Sequence, residues 1–88
     1  MLALTWSRDA HRGLMKMQPK RAAAVRAKCQ EIAADPPPAQ HSNVIALAGM
    51  PDSYRIRFGD WRVSFMIDRQ ANVMDVFEVA PRGSAYRW

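Results

Sequence analysis

The chain has 88 residues, 49% of them hydrophobic, and a formal net charge of +5 in which ten arginines and three lysines outweigh eight acids. That content excludes global disorder and supports one modest core, since a domain of this size buries roughly 60–65% of the surface its unfolded chain exposes. The lone Cys29 excludes an internal disulfide and fits a reducing cytoplasm, no run approaches the ~18 apolar residues of a membrane span, and Met1 to Trp6 lacks the basic region and apolar run of a signal peptide.

Leu2, Leu4 and Trp6 alternate with Ala3 and Thr5, which predicts a short first strand. Ser7 is a suitable N-cap for a helix over about residues 8–17, with Ala10, Leu14 and Met17 on its apolar stripe. Pro19 suits the first turn of a second helix. Ala22, Val25, Cys29, Ile32 and Ala33 then recur at helical spacing to about residue 34. Asp35-Pro36-Pro37-Pro38 ends that helix, because a residue before proline avoids helical backbone. Residues 35–43 read as a polar connector, Val44 to Leu47 as the start of an extended segment, and Ala48 to Asp52 as a turn. A hairpin, a loop at Asp68 to Ala71, a strand over Asn72 to Val79 and a short tail complete the chain. The expected order is β-α-α-β-β-β: an α+β arrangement with two N-terminal helices on one face of a small antiparallel sheet, in a single domain over residues 1–88.

The hairpin is the most informative segment. Ser53 to Phe58 and Trp61 to Ile67 each alternate with period two, and Gly59-Asp60 between them suits a type II′ turn. That turn sets Phe58 opposite Trp61, Arg57 opposite Arg62, Ile56 opposite Val63, Arg55 opposite Ser64 and Tyr54 opposite Phe65. Tyr54, Ile56, Phe58, Trp61, Val63 and Phe65 then share an apolar face, and Arg55, Arg57 and Arg62 share the other. Like charges opposed across strands are destabilising, and no acid stands opposite these three in the hairpin register. The guanidinium fork matches phosphate oxygens, so a phosphodiester is the leading ligand. The alternative is a solvated outer face whose arginines pair with Asp or Glu.

Arg82 and Tyr86 follow the last strand at a spacing of four, which would put both on one side of a helical turn. Nearby cations would favour the phenolate of a tyrosine, whose ordinary pKa is about 10; the alternative is a packing ring beside Trp88. His11 and His41 fall away from the arginines and make no catalytic pair. One cysteine and two distant histidines make no metal site, and no cofactor is implied. Met15, Met17, Met50, Met66 and Met74 read as core filler. Residues 1–44 carry seven bases against three acids, and residues 45–88 six against five. This surplus would suit a polyanion such as RNA or DNA, or an acidic protein.

Gly49-Met50-Pro51-Asp52-Ser53-Tyr54-Arg55-Ile56-Arg57, followed by Gly59-Asp60-Trp61-Arg62-Val63-Ser64-Phe65, resembles the core signature of RelE/ParE-type bacterial toxins. Val76 to Arg82, with Tyr86 four residues further on, is similar to the C-terminal motif of the same family. The resemblance implies a toxin neutralised by a cognate antitoxin. In ribosome-dependent members it implies metal-free cleavage of mRNA in the ribosomal A site. Carried over by position, Arg55 and Arg57 would bind RNA phosphates, Arg62 would hold the scissile phosphate, Arg82 would neutralise or protonate the leaving oxygen, and Tyr86 would be the general base. Arg55 and Arg57 stand where active members often carry lysine. Two alternatives stay open: a ParE-like toxin that poisons DNA gyrase without nuclease chemistry, and an inactive interaction module of the same fold.

Overall fold

The computed structural model describes residues 1–81. Its elements are β1 (Ala3–Trp6), α1 (Arg8–Met15), α2 (Pro19–Ala34), a short 3-10 helix (Pro38–Gln40), β2 (Val44–Ala46), β3 (Ser53–Phe58), β4 (Trp61–Asp68) and β5 (Val73–Pro81). The five strands form one sheet in the order β1-β5-β4-β3-β2. The expected order therefore gains a strand, because the segment from Val44 pairs with β3 as a strand of its own. The sheet is also mixed: β1 runs parallel to β5 and the other pairings are antiparallel. The two helices after β1 carry the chain to β2 at the opposite edge of the sheet, and the antiparallel run from β2 back to β5 lays β5 alongside β1 in parallel.

Local chemistry accounts for the helix boundaries. The Ser7 hydroxyl accepts a bond from the Ala10 amide at 3.1 Å, capping α1 as expected, and donates to the Phe77 carbonyl at 3.2 Å. The N-cap thus also fastens α1 to β5. Pro19 opens α2 and Asp35, before the prolines, closes it. Gly13 faces β5 so closely that a Cβ there would collide with the Val79 carbonyl oxygen.

The core lies between the helices and one face of the sheet. Ala10, Leu14, Met17, Ala22, Val25, Cys29, Ile32 and Ala33 pack against Ile56, Val63, Phe65, Met74, Val76 and Val79, all of them buried. The helical stripes are those expected from the spacing. Tyr54, Phe58 and Trp61 pack partly buried against this core, and the Tyr54 and Phe65 rings stack with centroids 5.5 Å apart. Only Met17 and Met74 of the five methionines read as filler are buried; Met15, Met50 and Met66 are exposed, because they fall off the apolar stripe of α1, in the turn before β3 and on the open face of β4.

The hairpin register is the one read from the turn, residue for residue. Gly59 takes φ +60°, the value that the first position of a type II′ turn demands and that side-chain-bearing residues rarely adopt. Between β4 and β5 the register shifts at Ser64/Phe65: Ser64 pairs with Glu78, but Phe65 pairs with Val76. Phe77 is the extra residue of a β-bulge. The bulge lets Met74, Val76 and Val79 all reach the core while Glu78 stays on the opposite face.

Candidate functional site

Strand alternation puts Arg55, Arg57, Arg62 and Ser64 on the sheet face away from the helices. The three arginines differ in environment. Arg57 is exposed, Arg55 is half-buried, and Arg62 is only 9% exposed. Arg57 and Arg62 are direct cross-strand partners, as the sequence required.

A carboxylate joins them. The Arg62 Nη2 donates to Glu78 Oε2 at 2.8 Å, and the Ser64 hydroxyl donates to Glu78 Oε1 at 2.9 Å. Arg55 Nε in turn donates to Ser64 Oγ at 3.2 Å. One relay, Arg55 to Ser64 to Glu78 to Arg62, therefore ties together β3, β4 and β5. The expectation that no acid stands near these arginines holds within the hairpin and fails across the next strand pair. The bulge at Phe77 is the reason: strict alternation from Met74 and Val76 would have aimed Glu78 at the core. Sequence reasoning missed Glu78 and the part played by Ser64. The register placing Ser64 opposite Arg55 was legible; the β4–β5 register was not.

Arg82 and Tyr86 lie outside the described residues, so the structure brings together Arg55, Arg57 and Arg62 of the expected set. The histidines stay apart from this face. His11 is exposed on α1. His41 Nε2 lies 2.7 Å from the Asp35 carbonyl oxygen, which only accepts, so that nitrogen carries the proton; its Nδ1 is 3.9 Å from the Glu31 carboxylate. His41 thus closes the connector back onto the end of α2. Among the described residues no group of three or more His, Cys, Asp or Glu side chains gathers to hold a metal, and no helix is long and apolar enough to cross a membrane. Burial pushes the Cys29 thiol up to about 12, and the Arg69 guanidinium is raised by its hydrogen bond and charge pairing with Asp52, far along the hairpin from Arg62.

Residues 4–86 match the family model of the ParE toxin of type II toxin–antitoxin systems, parDE. The chain belongs to this toxin family. The RelE/ParE resemblance of the hairpin and last strand is therefore a family relationship that spans nearly the whole chain. Solved structures agree in fold. A chain of the archaeal RelE–RelB complex from Pyrococcus horikoshii OT3 superposes with TM-score 0.77 at 23% identity, covering 93% of this chain and 96% of that one. A chain of the intact E. coli RelBE toxin–antitoxin complex gives TM-score 0.77 at 22% identity, with 92% and 96% covered. The YoeB dimer from Staphylococcus aureus gives TM-score 0.73 at 14% identity, with 90% and 94% covered. A search of curated protein sequences gives no match. In this ParE-family chain the arginine face is thus carried by the two hairpin strands, with β5 adding the carboxylate.

Proposed function

We propose that this toxin-family chain is a ribosome-dependent, metal-free endoribonuclease that cuts mRNA in the A site and is neutralised by a cognate antitoxin. The observation that carries this reading is the grouping of Arg55, Arg57 and Arg62 on one sheet face, with Arg57 and Arg62 directly opposed. Opposed cations cost stability, and a phosphodiester is an anion whose oxygens suit several guanidinium forks. The RelE–RelB and RelBE complexes of the same fold support an antitoxin as partner.

In the proposed reaction the 2′-hydroxyl beside the scissile phosphate attacks phosphorus, and the phenolate of Tyr86 takes its proton. The O2′–P bond forms and the P–O5′ bond breaks. Arg62 holds the phosphate and stabilises its growing charge, as preorganised donors do. Arg82 neutralises the departing 5′-oxygen, which takes its proton from water. Arg55 and Arg57 bind the flanking phosphates. The products are a 2′,3′-cyclic phosphate and a 5′-hydroxyl. The three hairpin arginines alone give single-stranded RNA a salt slope of only about −2, at roughly −0.7 per phosphate contact. Free RNA is therefore a poor substrate, and the ribosome supplies the ordered strand.

The ParE description of the matched family favours one further reading, inhibition of DNA gyrase by binding alone. Expression without antitoxin, followed by labelled amino acids and labelled thymidine, separates them. Early loss of amino-acid incorporation, with new mRNA ends mapped on purified ribosomes, is the expected result. Early loss of thymidine incorporation would transfer the chain to the gyrase reading, and absence of growth arrest would leave an interaction module.

A further inference from the structure

The carboxylate of Glu78 stands where an incoming phosphate would find its guanidinium. Its Oε2 accepts from Arg62 Nη2 at 2.8 Å, a distance typical of a charge-assisted bond. Its other oxygen accepts from Ser64, which itself holds Arg55 Nε. Glu78 therefore engages two of the three arginines, one directly and one through a hydroxyl. The pair also differs in access: the Arg62 side chain is 10% exposed and that of Glu78 29%. Solvent, or a ligand, thus reaches the carboxylate more readily than the guanidinium behind it.

Two consequences follow. The relay orients Arg55 and Arg62 before any ligand arrives, so less side-chain freedom is lost on binding. The same carboxylate cancels one of three positive charges and repels any phosphate approaching Arg62. Orientation survives if the charge alone is removed: in Glu78→Gln the amide oxygen can accept from Arg62 while its nitrogen donates to Ser64 Oγ. The electrostatic opposition does not survive.

We infer that Glu78 is the affinity-determining residue of the arginine face, an internal anion that positions Arg62 and is displaced from it by substrate phosphate. This deepens the nuclease reading and rests on its claim that the face captures phosphate. A site so guarded discriminates against stray polyanions and admits a phosphodiester that is delivered already ordered.

The test is calorimetric binding of inorganic phosphate and of a short single-stranded RNA at low salt to wild type, Glu78→Gln, Arg62→Ala and the double variant. Glu78→Gln should bind both ligands about tenfold tighter than wild type, the discounted effect of one charge near a surface. Adding Arg62→Ala should abolish that gain. Equal or weaker binding by Glu78→Gln, with Arg62→Ala still impaired, would overturn the role of Glu78 and leave the phosphate face standing. Indifference of binding to Arg62 would overturn both. Wild-type protein gives a second measurement that is independent of how any variant folds. The Glu78 side-chain carboxylate carbon resonance should move on phosphate saturation as its bond from Arg62 Nη2 breaks, and a resonance unmoved at saturation would sink the displacement.

Discussion

Arg62 and Glu78 meet at 2.8 Å although they are not cross-strand partners: Arg62 pairs with Ala80, and Glu78 pairs with Ser64. They are diagonal neighbours on one face, a separation that only long side chains span. The same diagonal turns a crowd of like charges into a connected network, because Ser64 lies between Glu78 and Arg55. Three strands consequently share one electrostatic unit on the face opposite the core.

Arg62→Ala should abolish growth arrest and RNA cleavage while the protein still folds. It removes the opposition to Arg57 but leaves Glu78 without its cation. Because that carboxylate is partly exposed, it regains water, and the net loss of stability should be about 1–2 kcal/mol. Toxicity assays beside denaturant unfolding check both halves. A stable variant that remains fully toxic would remove Arg62 from the site.

Gly13→Ala should destabilise more than a surface substitution on the same helix. The new methyl meets the Val79 backbone oxygen, which a flexible side chain cannot yield in its place, so α1 must lift from β5. Overpacking of this kind costs about 1–3 kcal/mol. Thermal melting against an exposed control such as Arg12→Ala measures it; equal melting temperatures would show that α1 moves freely on the sheet.

Cys29 should resist thiol reagents at pH 8 until the chain unfolds. The thiol is buried, and burial raises it from an ordinary 9.0 to about 12, which leaves little thiolate in the folded state. The linkage has a definite sign. Below pH 9 the group costs nothing; between 9 and 12 the unfolded chain loses a proton that the folded chain retains, so stability falls as pH rises. Unfolding free energies across that interval should decline less steeply in Cys29→Ala than in wild type.

Tyr86→Phe should lower single-turnover cleavage by about 10²–10⁴, the usual worth of general acid–base assistance, with the melting temperature unchanged. A stability loss of about 1 kcal/mol with an unchanged cleavage rate would instead assign the hydroxyl to a structural hydrogen bond.

Most of the fold is local in origin and was legible for that reason. Ser7 and Pro19 mark helix starts, Asp35 before the prolines marks a stop, and spacing alone picks out Ala22, Val25, Cys29, Ile32 and Ala33 as the buried stripe of α2. Gly59-Asp60 settles the β3–β4 register, since a two-residue turn leaves no slack, and with it the opposition of Arg57 and Arg62. What tertiary structure alone decided is the company those arginines keep. The parallel pairing of β1 with β5 joins segments about seventy residues apart, and no local signal sets such a pairing. The bulge at Phe77 arises because Met74, Val76 and Val79 must all reach one core, a spacing that period two cannot satisfy. Core packing thereby turned Glu78 outward, and placed on the arginine face the carboxylate that alternation alone would have buried.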